Sequence, residues 1–194
     1  MARTKKVGRP RSTACRAAIL ETAWKLIRNT TLKELSIEGI ARESGVGKST
    51  IYRWWPSKVA VVMDAFVENV LPIIEFAENE SVAVMISQQI AALVRAFSGE
   101  YGHIVAQILA EGQADPEALA SYRDRLLYPR REAAKALIQR GIENGEFVPT
   151  LDPELALDIL YGPIYFRLLV GHLPLDAEFA EGLPKRALKA LAVI

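Results

Sequence analysis

Between positions 48 and 53 the chain places Lys48, Ser49, Thr50, Tyr52 and Arg53 around an apolar Ile51. Each of the five carries a side-chain hydrogen-bond donor. If this run is helical and Ile51 points inward, Lys48, Ser49, Tyr52 and Arg53 turn partly outward. A short polar face of that size suits the major groove of duplex DNA, which admits one α-helix. Ser49 and Thr50 can bond base edges or phosphates, and Tyr52 can offer its hydroxyl to a phosphate. Arg53 can form bidentate bonds to guanine or pair with a phosphate. Ser36 and Trp54 complete the local candidate set, although the role of Trp54 is open. Lys58 falls in the first turn of the next expected helix, where a cation opposes the helix dipole. An external anion would explain it, and a solvated lysine is the plain alternative. Upstream, Arg3, Lys5, Lys6, Arg9 and Arg11 can track phosphates or enter a minor groove, or can simply solubilise a tail.

Other chemistries find less support. The string Gly45-Val46-Gly47-Lys48-Ser49-Thr50 resembles the end of a nucleotide-binding P-loop. That motif needs a glycine where Arg42 stands, and a buried strand where Ile40 to Ser44 read as an amphipathic helix. Glu111, Asp115 and Glu117 resemble paired catalytic carboxylates but flank a proline-initiated helix start, where acids suit the dipole. One cysteine (Cys15) and two histidines (His103 and His172) leave no disulfide and little for a metal centre. No nucleophile–base pair stands out, so neither an enzyme nor a cofactor is expected.

These residues need elements to hold them, and the chain reads as an all-α succession of about nine helices. Residues 1–11 lack an apolar pattern and are expected to form a flexible basic arm. Ser12 or Thr13 caps a first helix to about Asn29, with Leu20, Ala23, Trp24 and Ile27 on one buried face. Two short helices follow, from Ile37 to about Glu43 and from Lys48 to about Trp54. Ser36 is the cap of the first, and Gly45 supplies the left-handed turn between them. Ile40, Ala41, Val46 and Ile51 can make their shared core. This is the pattern of a helix-turn-helix over residues 12–57. Pro56 stops the third helix and Ser57 caps a fourth, which runs from Lys58 towards Phe76 with a kink or early end at Pro72. Further helices fit 81–98, 103–113, 116–143, 153–171 and 177–192, making a second domain over 58–194.

Charge divides along the same line. Residues 1–60 carry 13 Lys and Arg against 4 Glu, a balance of +9. The remaining 11 basic and 19 acidic residues give −8. A basic first third on an acidic body suggests a polyanion-binding module. A membrane-surface or protein-interaction module is the alternative, but it would need a broad apolar face opposite the charges. No run of about 18 uncharged apolar residues exists, and no secretory signal is legible, so a cytoplasmic, non-membrane protein is expected.

The run SIEGIARESGVGKSTIYRWWPSKVAVV resembles the DNA-binding signature of the TetR (tetracycline-repressor) family. The resemblance lies in Ile40-Ala41, Gly45-Val46, Lys48, Thr50-Ile51-Tyr52, Trp55 and Ser57-Lys58, and covers roughly residues 12–65. Tyr161 to Leu169 looks like the penultimate helix of one subgroup. The family usually has a glycine near Thr31; here Asn29 is expected to supply the left-handed turn instead. The resemblance implies a ligand-responsive transcriptional regulator, usually a repressor. It would bind a pseudo-palindromic double-stranded operator as a homodimer and respond to a small-molecule effector in its C-terminal body.

For that body the residues give two sets of candidates. Phe66, Met85, Gln89, Phe97, Tyr101, His103, Gln107, Tyr122 and Tyr165 offer the apolar-plus-polar mixture of a ligand pocket, with ordinary core packing the alternative for each. Ile164, Leu168 and Leu169, with Phe179, Leu183 and Leu191, form apolar stripes suited either to a dimer surface or to the intramolecular core.

Overall fold

The computed structural model describes residues 10–78 and 81–191. Their regular structure is helical: α1 (Pro10–Ile27), α2 (Ile37–Ser44), α3 (Lys48–Trp54), α4 (Lys58–Val70), α5 (Val82–Phe97), α6 (Glu100–Gly112), α7 (Pro116–Tyr122), α8 (Tyr128–Glu143), α9 (Pro153–Val170) and α10 (Ala177–Leu191). Helices α7 and α8 are one rod joined by a wide turn over Arg123–Leu127, in which the Tyr128 N–H bonds the Arg123 carbonyl five residues back. Counted so, the described residues hold nine rods, in keeping with the expected all-α fold.

The chain divides into two compact units at Phe66/Val67 rather than after Ser57. The early turns of α4 belong with the first unit because Val59, Ala60, Val62, Met63 and Phe66 are all buried. Phe66 stands edge-on to Trp24, their rings 6.3 Å apart. In the first unit, Ile19, Leu20, Ala23 and Ile27 of α1 are buried together with Ile40 and Ile51. Ala41 and Val46, expected in this core, are only half-buried.

Several helix ends differ from expectation, each for a local reason. Helix α1 starts at Pro10, a residue whose fixed φ suits a first turn, so Ser12 and Thr13 lie inside the helix rather than at its cap. Asn29 does not take a left-handed conformation: among the described residues only glycines have positive φ. Instead its side-chain amide donates to the Lys25 carbonyl at 2.6 Å, and the Thr30 hydroxyl donates to the Leu26 carbonyl at 3.2 Å. The following turn is closed by Thr31 and Glu34. The Glu34 carboxylate accepts from the Thr31 N–H and hydroxyl, and the Thr31 hydroxyl accepts from the Glu34 N–H. The Thr31 N–H in turn holds the Glu34 carboxyl below its ordinary pKa. This reciprocal box replaces a glycine turn.

In the second unit α4 ends at Val70 and a single tight turn over Leu71–Ile73 carries Pro72. Helix α6 begins at Glu100, three residues earlier than expected, and α5 and α6 bend by 82° between them. No single described helix is long and apolar enough to cross a membrane. Gly102 permits the bend, because a Cβ there would lie 2.0 Å from the Phe97 carbonyl oxygen. The start of α5 is capped by its own Ser81 and by Glu146, which lies in the turn after α8. The Glu146 carboxylate accepts from the Ser81 hydroxyl (2.8 Å) and from the Val82 and Ala83 N–H groups (2.9 and 3.1 Å).

Candidate functional site

The turn between α2 and α3 is built from local chemistry. The Ser36 hydroxyl accepts from the Gly39 N–H at 3.1 Å and so caps α2. Gly45 closes α2 at φ 68°, a conformation that costs a side-chain-bearing residue about 1 kcal/mol or more. Helix α3 then turns Ile51 fully inward and leaves Lys48, Ser49, Tyr52 and Arg53 exposed, with Thr50 half-buried.

Trp55 holds the far end of α3. It is buried, extended as the residue before a proline must be, and its indole N–H donates to Asp64 Oδ2 at 2.7 Å. Asp64 also pairs with Arg16 at 3.5 Å, and that guanidinium lies 5.8 Å from the Trp55 ring centre. One carboxylate on α4 therefore ties α1 to the end of α3. Trp54 is half-buried, edge-on to Trp55 at 5.5 Å, with the Arg53 guanidinium 5.5 Å from its ring centre. That stacking supports the stem of Arg53 while the side chain stays exposed.

Two of the expected contact residues already have protein partners. Lys48 Nζ pairs with Glu38 Oε1 at 3.0 Å, and this bond lowers the Glu38 pKa. Lys58 Nζ donates to the Leu32 carbonyl at 2.6 Å and latches the loop after α1. The loop carbonyl thus gives the cation at the start of α4 a partner without an external anion. Arg9 and the side chain of Arg11 lie outside the described residues, as do residues 1–9 of the arm expected over 1–11; Pro10 and Arg11 belong to α1 rather than to that arm. Sequence reasoning missed Asp64 and Glu38, because both act across helices; the buried Trp55 and the exposed Lys48 were the signals that each needed a partner.

The second unit contains a cavity of about 310 Å³. Of the expected pocket residues, Gln89, Phe97, Tyr122 and Tyr165 line it. Phe66 does not, being core of the first unit, and neither does Met85, which is buried beside Arg140. Tyr101 and Gln107 are half-buried outside the lining, and His103 is exposed. Helical spacing alone cannot separate the sides of α6, and it is Leu109 of that helix that reaches the cavity.

Sequence reasoning missed Phe76, Arg130, Arg131 and Tyr161. Their polar groups are ordered. Tyr122 OH donates to Tyr165 OH at 2.8 Å, and Tyr161 OH donates to Gln89 Oε1 at 2.8 Å. The Gln89 amide and Arg130 Nη2 both donate to the Ile74 carbonyl, at 3.3 and 2.8 Å. Burial raises the pKa of all three tyrosines, so their phenols remain protonated donors.

The apolar stripes also separate. Ile164 and Leu191 are buried within the chain, at 0% and 2% exposure, so they serve the intramolecular core rather than a dimer surface. Leu168, Phe179 and Leu183 are half-buried, while Leu169 is exposed. Residues not in the expected set join Leu169: Leu155, Phe166, Val170 and Leu173 are exposed as well.

A short helix carrying an exposed polar face, fixed behind by buried Ile51 and Trp55 and followed by a helical body with a cavity, is the arrangement of a helix-turn-helix regulator. The chain belongs to the tetR family of bacterial regulatory proteins: that family's model matches residues 19–64, and the tetracyclin repressor-like C-terminal domain model matches residues 78–187. It is 32% identical over 186 residues to YdeS, an uncharacterized HTH-type transcriptional regulator of Bacillus subtilis (strain 168), covering 96% of this chain and 94% of that one. It is 27% identical to the HTH-type transcriptional regulator EthR of Mycolicibacterium smegmatis, covering 81% and 76%. Among solved structures, the TetR family transcription regulator SCO0332 superposes with a TM-score of 0.81 at 28% identity, covering 92% of this chain and 99% of that one. FadR from Bacillus subtilis, solved in complex with stearoyl-CoA, shares the fold with a TM-score of 0.69 at 17% identity, covering 90% and 98%. The protein is a helix-turn-helix transcriptional regulator.

Proposed function

We propose that this regulator is a ligand-responsive repressor that acts in the cytoplasm, binding a two-fold-symmetric operator as a homodimer with α3 in the major groove. The observation that carries the reading is the exposed Ser49, Tyr52 and Arg53 face on a helix pinned by Ile51 and by the Trp55–Asp64 bond. Arg53 is the residue for base edges. Ser49 and Thr50 serve base edges or phosphates, and Tyr52, Lys48 and Lys58 serve phosphates. Ser36 and Trp54 flank them, with Arg9 and Arg11 upstream.

One such helix contacts few bases, so useful specificity calls for two copies on a two-fold axis. The surface suited to pairing is the outer side of α9. Leu155, Ile159, Gly162, Phe166 and Leu169 follow one another at steps of four and three residues, the spacing of a helix–helix seam, and Leu173 is exposed just beyond the helix end at Gly171. Phe166 is 58% exposed and Leu169 52%, unusual for large apolar groups standing in one stripe. A second copy of the chain, contributing its own α9, fits that stripe; Leu168, Phe179 and Leu183 flank it.

The cavity in the body is the effector site of this reading. A ligand that weakens operator binding a hundredfold must favour the non-binding conformation by about 2.8 kcal/mol.

Selection of random duplexes followed by footprinting tests the proposal. The expected result is a two-fold-symmetric site with half-site centres one helical turn apart, about 34–36 Å, or a multiple of it. Binding that shows no symmetric site, or no binding at low ionic strength, would overturn it.

A further inference from the structure

We infer that the cavity selects a compact organic acid, its carboxylate held by Arg130 and its apolar body lying among Phe76, Leu93, Phe97 and Leu126. The inference deepens the effector-site reading above and rests on it for the consequence to DNA, though not for the binding itself. Two cations line the cavity, and their situations differ. Arg131 is neutralised: its Nη1 bonds Asp158 Oδ1 at 2.8 Å, and it also pairs with Glu154. Arg130 makes no ion pair among the described residues. Its Nη2 donates to the neutral Ile74 carbonyl at 2.8 Å, and its guanidinium lies 4.8 Å from the Phe76 ring centre. It is half-buried in a lining that is mainly apolar. A guanidinium has five N–H donors, so several remain for a ligand.

The neutral polar groups point the same way. Gln89 is used on both sides, by Tyr161 and by Ile74. Tyr122 and Tyr165 share one hydrogen bond between two hydroxyls, which leaves one phenolic hydrogen to donate. The only lining carboxylate among the described residues, Asp158, already accepts from Arg131. The cavity is thus rich in donors and poor in acceptors. The charge of Glu75 attracts the Arg130 guanidinium but no ion pair joins them, so a ligand anion there would relieve the cost of taking it partly out of water, and a ligand cation would raise it. A volume of 310 Å³ is the liquid share of roughly ten waters, room for a one-ring or short-chain acid.

Titration calorimetry on the full-length protein with phenylacetate, octanoate and their primary amides tests this, since each pair differs in charge and scarcely in shape. At least one acid is expected to bind on the order of 10- to 100-fold more tightly than its amide, the range for a hydrogen bond to a charged group. Arg130→Met should abolish that ratio, and Arg130→Lys, which keeps the charge without the fork, should keep part of it. Equal affinities for acid and amide in the unmodified protein, binding by none of the four compounds, or a ratio unchanged in Arg130→Met would each overturn the inference. The unmodified protein decides the matter if a variant fails to fold. Fluorescence anisotropy with the selected operator separates the two levels. Acids that bind without releasing DNA support the cavity assignment and refute ligand-responsive repression. Amides that bind and release DNA where the acids do neither refute the acid and support the response.

Discussion

Asp64 offers the sharpest test of how the recognition helix is held. Trp55 is 1% exposed, and its indole N–H donates to Asp64 Oδ2 at 2.7 Å. Asp64→Ala strands that donor in the core, a loss of about 1–3 kcal/mol. The Arg16–Asp64 pair at 3.5 Å involves side chains 43% and 20% exposed, so its removal adds no more than about 1 kcal/mol. Asp64→Asn keeps an acceptor for the indole and loses only the charge, and is expected to cost about 1 kcal/mol or less. All three tryptophans, Trp24, Trp54 and Trp55, lie in the first unit, so their fluorescence in a urea titration reports on that unit alone. With a slope of about 1–3 kcal/mol per molar urea, Asp64→Ala should lower the midpoint by roughly 1 M and Asp64→Asn by much less. Operator affinity should fall in the same order, because Trp55 anchors the end of α3. Equal losses in the two variants would show that the ion pair, not the buried N–H bond, holds the helix. An unshifted midpoint in Asp64→Ala would refute the role of the clasp altogether.

Five other outcomes are expected. Arg53→Ala should weaken the selected operator far more than random DNA, measured by anisotropy across salt concentrations. Lys58→Ala should weaken both and flatten the salt slope by about one phosphate's worth. Gly102→Ala drives a methyl to 2.0 Å from a backbone carbonyl that cannot swing aside, and should lower the calorimetric melting point by about 5 °C or more. Burial opposes ionisation of Glu146, yet the Val82 and Ala83 N–H groups and the Ser81 hydroxyl outweigh it and hold its carboxyl below the ordinary glutamate pKa. Its stabilising effect is therefore present above the unfolded value, near 4.3, and is lost as pH falls through the folded one. The gap in urea midpoint between the unmodified protein and Glu146→Gln should close below about pH 4. Phe166→Glu should sediment as a folded monomer where the unmodified chain sediments as a dimer; a dimeric variant would remove α9 from the interface.

The helix-turn-helix was legible because its determinants are local. Ser36, Gly45, Ile51 and Pro56 act on residues within a few positions, so type and spacing reveal them. The reading failed where partners come from far along the chain. Nothing in the sequence Tyr128-Pro129-Arg130-Arg131-Glu132 says that one arginine pairs with Glu154 and Asp158 while its neighbour bonds a carbonyl and lies against a ring. Helix α9 is apolar on nearly every side, so periodicity could not divide buried Ile164 from exposed Phe166. The pocket candidates divided similarly. Gln89, Phe97, Tyr122 and Tyr165 converge on the cavity because α5, α6, α7, α8 and α9 all line it, and Tyr101, His103 and Gln107 follow the same spacing on sides of α6 that face elsewhere.

The wide turn at Arg123–Leu127 has a bearing on insertions and deletions. An ordinary helix advances about 100° per residue, so side chains four apart drift steadily around the rod. A turn closed over five residues absorbs that drift, and Tyr122, Leu126, Arg130 and Ala134 stay aligned on the cavity. Removing one residue from this stretch would leave an unbroken rod of nearly the same length. The wide turn would then close as an ordinary one, and because it lags an α-helix by roughly one residue's advance, the residues downstream would keep their direction. A residue removed from α8 itself meets no such slack and would swing everything beyond it by about a quarter-circle, so the stretch tolerates a change of length that the rod after it does not.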